Sequence, residues 1–101
     1  MAELAKDPVG RDKFVSSLDL QFQASLLEEE HKNREALEIL QKAAGLSPND
    51  AALHNNIGAL MLKLKYPLKE VMDAFSKAMQ LNPDNERYRK NFRKVWQKSQ
   101  K

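Results

Sequence analysis

Cysteine is absent from the 101-residue chain, glycine occurs three times and proline four times. Without cysteine there is no disulfide, no thiol nucleophile and no cysteine-held zinc, although the compartment is not fixed by this alone. So little glycine and proline cannot supply the many turns of an all-β chain. No apolar run approaches the ~20 residues that a membrane span requires, and no signal-peptide pattern opens the chain, so a soluble, cytoplasmic protein is expected. A Gly-rich phosphate loop, a His-Glu-x-x-His pair, a calcium loop and a nucleophile elbow are all missing. The two histidines, His31 and His54, stand apart, the first in an expected turn and the second at a packing position of a helix, where it reads as a buried spacer. Glu28-Glu29-Glu30 is a carboxylate run, but neighbouring residues on a helix diverge and make no metal cage or acid–base pair. It also sits at a helix C-terminus, where negative charge is unfavourable and where Lys32 and Arg34 are the nearby cations. Neither an enzyme nor a cofactor nor a metal site is expected.

What is present is the balance of a small folded domain, 42% apolar and 31% charged. The net charge of +3 is unevenly placed. Residues 1–85 carry 10 Lys/Arg against 13 Asp/Glu, a net of −3, whereas residues 86–101 carry 7 basic side chains against Glu86 alone, a net of +6. A cationic end of this kind attracts an acidic partner, or is simply a solvated helix face.

The main signal is internal repetition. Gln-Lys-Ala-Ala-Gly-Leu-Ser-Pro-Asn-Asp over residues 41–50 aligns with Ser-Lys-Ala-Met-Gln-Leu-Asn-Pro-Asp-Asn over 76–85. Lys42/Lys77, Ala43/Ala78, Leu46/Leu81 and Pro48/Pro83 lie 35 residues apart, while Leu20/His54, Ala24/Gly58 and Leu27/Met61 lie 34 apart, so one extra residue falls near Lys65-Tyr66-Pro67. A period of about 34 residues is that of stacked helical hairpins, each too small to bury its own apolar face.

Local signals agree. Ala36, Leu37, Ile39, Leu40, Ala43 and Ala44 recur at helical spacing, as do Leu53, Ile57, Leu60, Met61 and Leu64, and Val71, Met72, Phe75 and Met79. Asn33 is placed to cap one helix and Gly45 to end it in a left-handed turn; Ser47-Pro48 and Asn82-Pro83 each offer a cap followed by proline at the first helical position. Asp12, or Ser16 with Asp19, opens the first helix, and residues 1–11 read as a loose arm. The pattern predicts five helices and no strand, at about 13–30, 34–45, 48–65, 67–81 and 83–99.

These residues resemble the tetratricopeptide repeat, whose pattern joins an aromatic, a Leu-Gly pair and a Tyr on one helix to an Ala, a Phe and a Pro on the next. The second unit supplies Ile57-Gly58, Phe75, Ala78 and Pro83, and departs at His54, Met61 and Val71. The first supplies Ala36, Ala43 and Pro48, with Leu20, Ala24, Leu27 and Leu40 of compatible size. The resemblance implies an all-α, right-handed α-α superhelix of stacked antiparallel helical hairpins. Residues 12–101 would form a single domain, with repeats at about 17–50 and 51–85 and a capping helix at about 83–99. It also implies a concave groove lined by the first helix of each repeat, here Gln21, Phe22, Ser25, Asn55, Asn56, Ala59, Leu62, Lys63, Arg87, Lys90, Asn91 and Lys94. Neutral amides in the middle and cations on the last helix suit an acidic or extended peptide. One subgroup of the family grips the acidic tail of chaperones with a two-carboxylate clamp. Its five positions fall on Gln21, Ser25, Asn56, Arg87 and Asn91; Asn56 matches, Arg87 matches in charge, and the other three are neutral departures.

In the last helix Tyr88, Phe92, Val95 and Trp96 form one apolar stripe among Arg87, Arg89, Lys90, Arg93, Lys94 and Lys98. The stripe is expected to shield helix 67–81, as a closing helix must. The function expected is a non-enzymatic protein–protein adaptor that binds through Asn56, Arg87, Lys90, Asn91 and Lys94, then Gln21, Ser25, Asn55 and Lys63. Assembly through the last helix, including a homodimer, is the alternative. A membrane surface, a calmodulin-like protein or nucleic acid are weaker options for the basic end.

Overall fold

The computed structural model describes residues 15–101. They form α1 (Ser17–Glu29), α2 (Asn33–Leu46), α3 (Ala51–Lys63), α4 (Leu68–Leu81) and α5 (Glu86–Ser99), with no strand among the described residues. The all-α class and the five helices are as expected. The expected arm over 1–11 and the Asp12 cap lie outside the described residues.

Three of the five helices, α1, α3 and α5, begin where a side chain satisfies a free N–H group. Ser16 and Asp19 make a reciprocal capping box, Ser16 Oγ accepting from the Asp19 N–H and the Asp19 carboxylate from the Ser16 N–H, both at 3.1 Å. This places the start of α1 at Ser17 rather than at 13. The helices expected from 48 and 83 also start later. Pro48 and Pro83 do not occupy the first helical position; they lie inside turns closed by Asp50 N–H to Ser47 O and Asn85 N–H to Asn82 O, each 3.2 Å. Proline presets the backbone of such a turn and restrains the residue before it from helix. The capping oxygen then comes from Asp50, which accepts from the Leu53 N–H at 3.2 Å, and from Asn85, which accepts from the Tyr88 N–H at 3.2 Å.

Two further expectations are corrected at α2. Asn33 is its first residue, not its cap; Lys32 precedes it with no side-chain hydrogen bond. Gly45 lies within the helix and is not in the left-handed region. The left-handed positions are instead His31 (φ 63°) and Lys65 (φ 66°), 34 residues apart. At the first, His31 N–H bonds Glu28 O at 2.9 Å and Lys32 N–H bonds Leu27 O at 2.8 Å. At the second, Lys65 N–H bonds Leu62 O at 3.1 Å and Tyr66 N–H bonds Met61 O at 3.0 Å. Both are complete Schellman closures built without glycine.

Every helix packs on its successor in the chain, α2 on α3 less extensively than the others. Leu20 and Ala24 of α1, Ala36, Leu37, Leu40 and Ala43 of α2, and Leu53, Ile57 and Leu60 of α3 make one buried cluster. Val71, Phe75 and Val95 make a second across α4 and α5, and Met61 and Tyr66 touch both. Gly58 is the tight point between α3 and α4. A Cβ there would lie 2.7 Å from the buried Phe75 ring and 3.3 Å from the Ala74 methyl. His54 is not the buried spacer expected; it is half-buried, and its Nε2 lies 2.8 Å from the Pro48 carbonyl while Leu53 takes the core position. In the last helix Tyr88 and Val95 are buried and Phe92 half-buried against α4, as expected of a closing helix, but Trp96 remains 48% exposed.

The three left-handed or glycine sites separate by experiment. Gly58→Ala should destabilise by ~1–2 kcal/mol, because the aromatic ring cannot yield and overpacking outweighs the helix-propensity gain. Gly45→Ala meets nothing within 4 Å and should stabilise by ~0.5–1 kcal/mol. Thermal melts by circular dichroism read both signs. In the same assay Lys65→Gly should raise Tm by ~2–4 °C, as relief of left-handed strain exceeds the added flexibility of the unfolded chain.

Candidate functional site

A side-chain hydrogen bond joins the alternate helices α3 and α5. Asn91 on α5 donates its Nδ2–H to Oδ1 of Asn55 on α3 at 2.9 Å, and Asn55 is buried to 7% exposure. A buried amide oxygen needs such a donor, so this bond fixes which faces of the two helices meet. From it, a cleft runs toward their C-terminal ends. Its first part, about 350 Å³, is lined by Ala59, Leu62 and Lys63 of α3, Phe75 of α4, and Asn91, Lys94 and Val95 of α5. It continues into an open hollow of about 620 Å³ lined by Leu62, Lys94, Val95, Gln97, Lys98 and Lys101.

The floor is thus apolar, from Ala59, Leu62, Phe75 and Val95. Its edges carry Lys63, Lys94, Lys98 and Lys101, and no Asp or Glu side chain lines either part. Lysines set along the edges with no acidic side chain between them create a positive potential over an apolar strip. Such a surface is complementary in charge and polarity to carboxylates set beside an apolar side chain.

Of the residues singled out from the sequence, Ala59, Leu62, Lys63, Asn91 and Lys94 come together here. Asn56, Arg87 and Lys90 are exposed but do not line the cleft, and Asn55 lies beneath it as the partner of Asn91. Gln21 directs its side-chain amide to Ser17 Oγ at 3.0 Å and to the Asp50 carboxylate at 3.5 Å, linking α1 to the cap of α3. Ser25 is exposed on α1, outside the cleft, as is Phe22. Lys98, Lys101 and Val95 were missed as lining residues. The spacing Lys94, Lys98, Lys101 was available, since four and seven residues share one helical face.

The Glu28-Glu29-Glu30 run makes one ion pair among the described residues, Lys32 Nζ to Glu30 at 3.3 Å, with both side chains more than half exposed. Arg34 does not join it. Among the described residues no group of three or more His, Cys, Asp or Glu side chains could hold a metal ion, and no helix is long and apolar enough to cross a membrane. Comparison of the chain with protein-family models and with curated proteins finds no match.

The Asn55–Asn91 bond is open to a mutant cycle. Asn91→Ala strands the buried Asn55 oxygen and should cost ~1–2 kcal/mol in urea unfolding. Asn55→Ala with Asn91→Ala should cost less than the two single changes added together, because the same bond is lost only once.

Proposed function

We propose that the chain is a small tetratricopeptide-type array, two helical hairpins and a closing helix wound in a right-handed superhelix, acting as a non-enzymatic adaptor. Its ligand is an acidic, extended segment of another protein, held in the cleft between α3 and α5. The repeat reading is supported by features that recur at the same spacing. The Schellman positions His31 and Lys65 and the small buried residues Ala24 and Gly58 lie 34 apart, and the proline turns before Asp50 and Asn85 lie 35 apart. The bonds from Gln21 to Asp50 and from Asn91 to Asn55 both tie alternate helices, as expected if α1, α3 and α5 share the inner layer.

One observation carries the adaptor reading: an apolar floor of Ala59, Leu62 and Val95 bordered by Lys63, Lys94, Lys98 and Lys101 with no intervening Asp or Glu side chain. The lysines attract and orient carboxylates, and the floor rewards an apolar side chain between them. The chaperone-tail clamp is the poorer fit, because Gln21 and Asn91, two of its five positions, already direct their amides to partners within the chain.

Fluorescence anisotropy with a labelled Glu-rich peptide carrying a central Leu checks the proposal. Binding is expected to weaken on the order of tenfold, ~1.4 kcal/mol, in Lys94→Glu with Lys98→Glu. It should also fall as salt shortens the screening length from about 10 Å at 0.1 M. Affinity unchanged by the double reversal, or equal for a Lys-rich peptide, would reject the cleft as the site.

A further inference from the structure

Large apolar side chains remain exposed on α1, at Leu46 of α2 and at Trp96 of α5, and none of them lines the cleft. On α1, Leu18 is 74%, Phe22 65% and Leu26 43% exposed. They recur every four residues, opposite the buried Leu20 and Ala24, so α1 is apolar on two sides. A helix apolar all round is normally covered all round. At the other end of the chain, Met79 of α4 with Arg89, Phe92, Arg93 and Trp96 of α5 line an open, largely apolar hollow of about 270 Å³.

The charges beside these two patches are opposite. The α1 stripe runs directly into Glu29 and Glu30, the end of a carboxylate run at a helix C-terminus, where the helix dipole disfavours it. The α5 hollow is edged by Arg89 and Arg93. The spacings also agree. From Phe22 to Glu29 is seven residues along α1, and from Trp96 back to Arg89 is seven along α5, about 10.5 Å in each case at 1.5 Å per residue. With α1 laid antiparallel on α5 and Phe22 on Trp96, Leu26 falls at Phe92 and Glu29 at Arg89, with Glu30 one residue beyond and still within reach of the Arg89 side chain. One Arg89 N–H already bonds the Pro83 carbonyl, and the guanidinium retains other donors.

We infer that the α1 stripe of one copy seats in the α4–α5 hollow of a second copy, Phe22 against Trp96, Leu26 against Phe92, and Glu29 and Glu30 against Arg89. The two surfaces are different, so the contact is head-to-tail and a string of any length keeps one free surface of each kind, at opposite ends; it propagates into short strings or closes as a ring. A surface with this few side chains gives a weak contact, with a dissociation constant in the micromolar range or above, roughly. It also covers the otherwise open apolar ends of a two-hairpin array, for which fewer than about three repeats are marginal. The cleft uses the opposite flank of α5, so the two contacts are independent.

The test uses two variants at exposed positions, Phe22→Asp and Trp96→Asp, with circular dichroism showing that each keeps the wild-type helix content. In sedimentation equilibrium the average mass of the wild type should rise with concentration, while each variant alone stays monomeric. Their equimolar mixture should double in mass and stop there, since each copy supplies the surface the other lacks. Trp96 is the sole tryptophan, so emission from the Phe22→Asp copy should shift to the blue as the Trp96→Asp copy is added. A wild type that stays monomeric to on the order of 1 mM would overturn the inference, as would occlusion of the stripe by residues 1–14, which predicts the same result. Self-association of either variant alone, or a mixture that remains monomeric while the wild type assembles, would point to a symmetric contact and overturn it equally.

Discussion

The Phe75 ring resting on Gly58 is the contact on which the rest of the molecule depends. A side chain at Gly58 would come within 2.7 Å of that ring, so α3 and α4 reach their closest approach only because none is there. The same ring belongs to the cluster that holds α5, through Val71 and Val95. Once α4 is seated on α3, α5 is seated on α4, and the Asn91 amide meets the buried Asn55 oxygen. The cleft then follows without further design, as the space left between α3 and α5 beyond that bond. Core packing and the position of the site are one constraint, because close-packed helices move as units.

The closing helix carries different surfaces on its three sides. Tyr88, Val95 and, in part, Phe92 face inward. On one flank Lys94 and Lys98 overlook the cleft; on the other Arg89, Arg93 and Trp96 edge a separate hollow. A helix can divide its labour in this way because residues three and four apart share a face while neighbours diverge. The excess of positive charge in the last sixteen residues is therefore divided: Lys94, Lys98 and Lys101 border one apolar surface, Arg89 and Arg93 another, and Arg87 and Lys90 border neither. The use of lysine on the cleft side and arginine on the other is also suggestive chemically. Arginine suits fixed, partly desolvated carboxylates, and lysine a more mobile, hydrated contact.

Much of this was legible in the residues. The doubled Lys-Ala-x-x-Leu-x-Pro block, the apolar spacing and the small residues at Ala24 and Gly58 led to five helices with the right buried faces. Helix starts were misplaced where proline was given the first helical turn, although Asp50 and Asn85, two residues further on, are equally good caps. Gly45 drew the left-handed turn because glycine adopts it without strain. The structure puts that conformation at His31 and Lys65, where closure of the hairpin dictates the backbone and the side chain tolerates it. His54 was assigned inward on alignment alone, while the adjacent Leu53 has the greater gain from burial.

The candidate cleft was half legible. Position along the repeat selects Ala59, Leu62, Lys63, Asn91 and Lys94, but it also offers both Asn91 and, in second rank, Asn55 as partner contacts, when one is buried and bonded to the other. By itself the sequence determined the helical class, the repeat and the gathering of positive charge at the end of the chain, because these depend on periodicity and composition within short stretches. Which lysines share an apolar strip, which aromatic stays in water and which amides satisfy each other were decided only by the tertiary structure, since each depends on how far one helix is rotated against another, and that angle is set by contacts between residues distant in the chain.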